Sequence, residues 1–153
     1  MSRDWEGGDN YDDNWALDMG RWERNSRAVL RSKRGQQALR ELEAALLALP
    51  VKRLVADDLC LPVAITDDGE VIYRVCAIGA LGLHRGIDPA SMAEWNEEGR
   101  EGTVGMGESL GLRRTLAWVI GETNDRIYRE TEEQRYERVL QWIRDVLGVE
   151  VAP

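Results

Sequence analysis

The sequence is poor in the residues and runs that most often carry chemistry or cross membranes. It has two cysteines, one histidine and no phenylalanine in 153 residues. Cys60 and Cys76 make no disulfide framework, and they lack the paired C-x₂₋₄-C spacing of a structural zinc site. The apolar stretch 75–83 is too short to cross a bilayer, which takes about 20 residues. We therefore expect no disulfide, metal, other cofactor or membrane span.

The common signals of export and of catalysis are missing as well. Residues 1–6 lead into acidic residues instead of the apolar segment of a signal peptide, so the cytoplasm is the expected location. The only histidine, His84, lies eight residues from Cys76, which is about 12 Å along a helix and too far for proton transfer. Neither 79–82 nor 105–107 has the pattern of a phosphate-binding loop. We expect Cys76 to be a buried, inert thiol, and we assign no catalytic residue.

What is present is the composition of a globular domain, with 43% hydrophobic and 31% charged residues. The stretch 75–85 combines Val, Ile and Leu with Ala and Gly, which favours a buried helix that neighbouring backbones approach closely. Apolar residues at helical spacing predict further helices over 17–32, 36–49, 108–123 and 131–147. We predict a mainly α single-domain bundle (minor β) of about five or six helices around the central apolar helix 75–85.

Local signals place the remaining elements. An Asp-Gly pair between two β-favouring runs predicts one small β-hairpin near 63–73, and the segment 54–59 before it is compatible with a strand or one helical turn. Asp88-Pro89 is typical of a helix start, and Thr131 with Gln134 predicts a capping box. Gly35 allows a helix break, and glycines over 90–107 indicate a short helix followed by a loop.

Charge is strongly segregated along the chain, whose net charge is −8. Residues 1–18 carry six carboxylates against one arginine, a net of −5, and are interrupted by Gly7-Gly8. Residues 19–40 carry a net of +6, and residues 94–108 a net of −4. We interpret 1–18 as an extended or flexible acidic, aromatic-containing arm ahead of a single mainly helical domain, 19–153.

The acidic segments are the predicted partner-binding surface, because aromatic side chains supply contact area and carboxylates steer a basic partner. The alternative is that the arm packs back onto the arginine-rich helix of its own chain. The predicted binding residues are Asp4, Trp5, Asp9, Tyr11, Asp12, Asp13, Trp15, Glu94, Glu97, Glu98 and Glu101.

A basic helix over 21–40 supports a different hypothesis. Arg24, Arg27, Arg31 and Arg34 recur every three or four residues, a spacing that suits contact with a phosphate backbone. The negative net charge and the neighbouring acidic arm argue against it. Nucleic-acid binding is therefore the second hypothesis, ahead of any enzymatic one.

Several strings resemble a group of small proteins encoded by bacteriophages and prophages. They are Asp13-Asn-Trp15, Ser32-Lys-Arg-Gly-Gln36, Cys76-Ala-Ile-Gly-Ala-Leu-Gly, Arg85-Gly-Ile-Asp88 and the Arg135-x-x-Arg138-Val-x-x-Trp142 helix. The resemblance implies a phage protein that acts in the cytoplasm of the bacterial host, and it assigns no catalytic residue. It implies a non-enzymatic phage accessory protein that inhibits a host defence protein, most specifically an anti-CRISPR protein blocking a CRISPR effector complex through its acidic surfaces. The alternative is a phage nucleic-acid-binding regulator, and either would be compatible with a homodimer.

Overall fold

The computed structural model describes the backbone of residues 3–148 and the side chains of residues 17–148 except 63 and 64. Seven α-helices, one 3₁₀ turn (Asn96–Glu98) and a two-stranded antiparallel sheet occur within these residues. The strands are β1 (Cys60–Ile65) and β2 (Val71–Val75). The helices are α1 (Arg3–Arg31), α2 (Lys33–Ala48), α3 (Ala77–His84), α4 (Pro89–Ala93), α5 (Gly99–Ser109), α6 (Arg114–Asp125) and α7 (Glu132–Leu147). The predicted mainly α fold with one small hairpin is confirmed.

The predicted central helix is α3, and its first six residues are buried. It packs against α2, α5 and α6. It begins two residues later than expected, because Val75 still belongs to β2 and Cys76 is the N-cap, whose Sγ accepts the Gly79 N–H at 3.4 Å. A Cβ at Gly79 would lie 2.1 Å from the carbonyl oxygen of Leu59, so glycine is what lets α3 approach the preceding loop.

The predicted helix boundaries rest on the expected side chains. Asp88 caps α4, with its carboxylate accepting the Ala90 N–H at 3.2 Å and Pro89 in the first turn. The Thr131 hydroxyl accepts the Gln134 N–H at 3.1 Å, and the Gln134 side chain accepts the Thr131 N–H at 3.0 Å, so the capping box that starts α7 is confirmed. Gly148 ends α7 in the left-handed conformation.

The hairpin is confirmed and is slightly longer than predicted. Its turn contains Gly69 at φ +83°, a conformation that glycine adopts without steric cost. A register irregularity lies between Pro62 and Ala64. The segment 54–59 before β1 is neither a strand nor a helix, but the Val55 N–H donates to the Val75 carbonyl at 2.9 Å.

The prediction of an extended arm over 1–18 is wrong for the described backbone, which is helical from Arg3 and continuous with the rest of α1. The segment contains no proline, the residue that interrupts helices most strongly. The break between the first two helices falls at Ser32, not at Gly35. Gly35 is buried inside α2, where a Cβ would lie 1.8 Å from the Val29 carbonyl oxygen.

The predicted loop before 107 is largely a helix, α5, and the predicted helix 108–123 is split by a turn at 110–113. Glycines occur in α5 because other groups occupy the space of their side chains: Gly102 faces the Trp95 carbonyl and Gly107 faces Ala117. Gly111, at φ +86°, provides the turn into α6. Packing therefore overrides the low helix propensity of glycine here.

Candidate partner-binding surface

The two thiols are buried and have no catalytic neighbour among the described side chains. Burial raises the pKa of the Cys76 thiol to about 12 and that of Cys60 to about 11. Both thiols are therefore protonated at neutral pH, whereas a nucleophilic cysteine needs a lowered pKa. His84 is exposed at the other end of α3 from Cys76. The expectation that Cys76 is buried in the core is confirmed.

Asn124 joins three segments in the interior and is only 1% exposed. Its side-chain amide donates to the Val55 carbonyl at 2.8 Å, and its Oδ1 accepts the Ala77 N–H at 3.0 Å. The neighbouring Asp125 accepts from Arg100 at 2.9 Å and from the Asp57 N–H at 3.2 Å. These bonds satisfy backbone groups at the start of α3 and in the loop before β1, so this pair has a structural role.

A second interior cluster is built around Glu130, whose side chain is 8% exposed. Arg138 donates to both of its carboxylate oxygens at 2.5–3.1 Å, and Arg135 lies 3.3 Å from it. The hydrogen bonds from Arg138 hold the pKa of Glu130 below its ordinary value. Arg138 also donates to the carbonyls of Thr123 and Asn124 at the end of α6, where a cation is favoured by the helix dipole. The charge of Glu130 is therefore neutralised by arginines of the same chain.

Glu94, Glu97 and Glu98 have a different environment. All three are exposed, and none forms an ion pair or a side-chain hydrogen bond with any side chain of residues 17–148 that the structure describes. They lie within a five-residue segment, 94–98, in which Glu94 is the C-cap of α4 and Glu97 and Glu98 belong to the 3₁₀ turn. We call these three residues the acidic ridge.

The backbone beneath the acidic ridge is tightly held. The Asn96 side chain accepts the Leu59 N–H at 2.8 Å and donates to the Cys60 carbonyl at 2.8 Å, which fastens the 3₁₀ turn to the start of β1. Trp95 packs against α5, where a Cβ at Gly105 would lie 2.6 Å from its ring. The three carboxylates therefore project from a fixed support, which lowers the entropy lost when they bind.

One residue of the predicted acidic surface, Glu101, already has an ion-pair partner within the chain. Glu101 is exposed, but Arg114 donates to its carboxylate at 2.7 Å and also reaches Glu108 at 3.1 Å. Glu101 belongs to the same acidic segment as the ridge, yet its charge is compensated from α6. Because the pair is thirteen residues apart and depends on the turn between α5 and α6, sequence spacing alone did not indicate it.

The remaining predicted binding side chains lie outside those that the structure describes. They are Asp4, Trp5, Asp9, Tyr11, Asp12, Asp13 and Trp15, all on the first half of α1. Of the predicted binding residues, the structure therefore describes the side chains of the acidic ridge and of Glu101, and only those of the ridge have no described ion pair.

Three of the four arginines in the nucleic-acid-binding hypothesis share one face of α1. Arg24, Arg27 and Arg31 are exposed, whereas Ser26 and Val29 on the opposite side of the helix are buried. Arg34, in the first turn of α2, is also exposed and borders an open groove of about 480 Å³ together with Lys33 and Arg85. None of the four arginines is ion-paired with a side chain within 17–148.

Among the side chains that the structure describes, no cluster of three or more His, Cys, Asp or Glu is able to hold a metal ion. None of the helices described within residues 3–148 combines the length and the hydropathy needed to cross a membrane. Comparison of the chain with protein-family models, with curated proteins and with solved structures gives no match.

Proposed function

We propose that this protein is a non-enzymatic inhibitor that binds a bacterial defence complex, with CRISPR effectors as the specific class, through its acidic surface. The observation that carries the proposal is the acidic ridge: three exposed carboxylates without described partners on a backbone fixed by Asn96 and Trp95. The bacterial and phage setting comes from the sequence resemblance. The chain's net charge of −8 favours encounter with a basic partner.

The chemistry of such a partner follows from the ridge. CRISPR effectors hold guide and target nucleic acids in positively charged channels. Fixed carboxylates can occupy positions where lysines and arginines otherwise bind phosphates, because the charge and the hydrogen-bond acceptors are the same in kind. Binding of this type blocks the nucleic acid without any covalent step, so it requires no catalytic residue.

The proposal is tested by expressing the full chain in a panel of bacterial strains, each with one active CRISPR–Cas system that targets a known phage. We expect the protein to restore plating of the targeted phage by several orders of magnitude in at least one strain, and to leave plating of an untargeted phage unchanged. Failure to restore plating in every strain of the panel would contradict the proposed function.

The second candidate function is nucleic-acid binding by the basic face. It is favoured by the exposure and alignment of Arg24, Arg27 and Arg31 and by the groove that Lys33 and Arg34 border. A phosphate backbone laid along this face would form several charge-assisted contacts, so its affinity would fall steeply as salt rises.

Fluorescence anisotropy with labelled duplex DNA at physiological ionic strength distinguishes this function. We expect Arg27→Ala with Arg31→Ala to weaken binding at least about tenfold, since each removes a phosphate contact. The matched control is Arg126→Gln with Arg129→Gln, which removes two exposed arginines outside this face. Binding that is absent in the wild type, or lost equally in the control, would exclude this candidate.

A further inference from the structure

The outer edge of β2 carries unpaired backbone groups. On its inner side β2 pairs with β1, and within residues 3–148 no third strand pairs with it. The Val75 carbonyl points outward, since it accepts the Val55 N–H at 2.9 Å. Backbone groups alternate in direction along a strand, so the N–H and C=O groups of Val71 and Tyr73 also point outward. These four groups have no partner from a third strand.

This edge also lacks proline and lysine, two residues that protect many edge strands, and its one charged residue, Arg74, contacts Glu132. In β1, Pro62 lies opposite Tyr73 at a position where its nitrogen faces away from β2, and the register irregularity follows it. Residues 71–75 contain neither proline nor lysine. The strand residues that flank the turn are apolar and exposed, with Ile65 at 73%, Val71 at 39% and Ile72 at 37% exposure.

We infer that β2 pairs with β2 of a second copy of this chain, antiparallel and around a twofold axis at Ile72, to form a four-stranded sheet. In this register Val71 lies opposite Tyr73 of the second copy, and Tyr73 lies opposite its Val71. Each of the two pairs exchanges two N–H···O bonds, so all four outward groups are satisfied. Each two-stranded sheet becomes one half of a four-stranded sheet in which β2 is a central strand.

Charge complementarity selects the same register. Pairing around Ile72 places Glu70 opposite Arg74 of the second copy, and this ion pair occurs twice. Arg74 already contacts Glu132 at 2.6 Å, and its side chain is 39% exposed, so a second carboxylate has access to it. The same alignment brings Val71 against the Tyr73 ring of the second copy, a favourable cross-strand contact.

The two neighbouring registers fit less well by backbone hydrogen bonding or by charge pairing. An axis at Val71 would place Glu70 opposite Ile72, leaving the carboxylate without a charged partner. An axis at Tyr73 would require the Val75 carbonyl, which the Val55 N–H already occupies. Both shifts remove the two Glu70–Arg74 pairs. The surface is therefore self-complementary in one register, as a twofold interface requires.

The mass of the full chain in solution tests this interface. Analytical ultracentrifugation at tens of micromolar protein is expected to give twice the monomer mass of 17.3 kDa. Glu70→Lys places two lysines opposite two arginines and should weaken the dimer about tenfold or more. Val71→Pro removes an outward N–H while keeping the hydrogen bonds to β1, and should also give a monomer. Glu137→Lys, an equal charge change at an exposed position on α7, should leave the dimer intact.

A cysteine at the axis tests the register independently. Ile72 would face its own copy across a non-hydrogen-bonded pair, where the Cα atoms are about 4.5 Å apart, a separation that a disulfide spans. We expect Ile72→Cys to form a disulfide-linked dimer under mild oxidation. Ile65→Cys, more exposed but off the axis, should stay monomeric on a non-reducing gel; the native thiols are buried. A monomeric wild type, a dimer insensitive to Glu70→Lys and Val71→Pro, or equal cross-linking of both cysteine variants would overturn the inference.

Discussion

Glu130 and the acidic ridge show two opposite uses of glutamate in one chain. Glu130 is buried, contacts two arginines, and fixes the end of α6 to α7 through Arg138. The ridge carboxylates are exposed, and no described side chain pairs with them. Their backbone is nevertheless fixed to the start of β1 by the hydrogen bonds of Asn96. Where a carboxylate has a partner within the chain, its charge is used for stability, and where it has none, its charge is available to another molecule.

The largest expected effect on stability comes from removing the charge of Glu130. Glu130→Gln removes the charge that Arg135 and Arg138 share, and it leaves the buried Arg135 and the half-buried Arg138 without their carboxylate. Removing one partner of a buried ion pair typically costs about 3–5 kcal/mol. We expect a loss of that size in the free energy of unfolding, measured by urea denaturation, and a loss below about 1 kcal/mol would contradict the structural role assigned to Glu130.

Asn124→Ala should have the next largest effect. It leaves the Val55 carbonyl and the Ala77 N–H without their side-chain partner in the interior. An unsatisfied buried polar group costs about 1–3 kcal/mol, so we expect a loss of about 2–3 kcal/mol in the same measurement. An Asn124→Ala protein as stable as the wild type would show that these groups find other partners.

Gly102→Ala tests the packing that supports the ridge. A Cβ at this position would lie 2.2 Å from the Trp95 carbonyl oxygen, so the 3₁₀ turn must move. We expect a loss of about 1–3 kcal/mol, the usual cost of overpacking. Gly20→Ala is the matched control, because its Cβ meets only the Arg24 side chain at 3.7 Å, and it should stabilise α1 by about 0.5–1 kcal/mol. Equal effects of the two substitutions would contradict the close approach at Gly102.

The buried carboxylate also predicts a pH dependence. Because Arg138 lowers the pKa of Glu130 in the folded state, its charge contributes stability above the pKa of the unfolded chain. That contribution is lost as pH falls through the lowered folded-state pKa. The unfolding free energy of the wild type should therefore decline in acid more steeply than that of Glu130→Gln. Parallel pH profiles would contradict a lowered pKa for Glu130.

Substitutions in the acidic ridge are expected to have the smallest effect on stability. Converting Glu94, Glu97 and Glu98 together to glutamine removes no described ion pair. We expect the free energy of unfolding to change by less than about 0.5 kcal/mol, as is usual for surface substitutions. A loss above about 1 kcal/mol would show that the ridge stabilises the fold and has internal partners.

Local chemistry made much of the fold predictable. The hairpin turn, the capping box at Thr131 and the start of α4 at Asp88 depend on side chains only a few residues apart, so their patterns are visible in the sequence. The apolar and small residues of α3 likewise indicate burial without reference to any distant group. For these elements the sequence pattern and the tertiary structure require the same conformation.

Two of the failures involve contacts between distant residues. The helix α5 contains Gly102 and Gly107 because Trp95 and Ala117 fill the space beside them, and no local pattern shows this. The pair of Glu101 with Arg114 depends on the turn that separates α5 from α6. The candidate site was consequently predicted as an acidic segment, but which of its carboxylates are free required the fold.

The most direct measurement of the central claim compares three proteins in a strain where the wild type restores plating of a CRISPR-targeted phage. The ridge variant converts Glu94, Glu97 and Glu98 to glutamine, and the control converts Asp67, Asp68 and Glu137 to their amides, removing three exposed charges elsewhere. We expect the control to match the wild type. The ridge variant should bind its partner at least about tenfold more weakly, a loss of about 1.4 kcal/mol of binding free energy, and should therefore restore less plating than the wild type. Equal plating by the ridge variant and the wild type would contradict the assignment of binding to this surface.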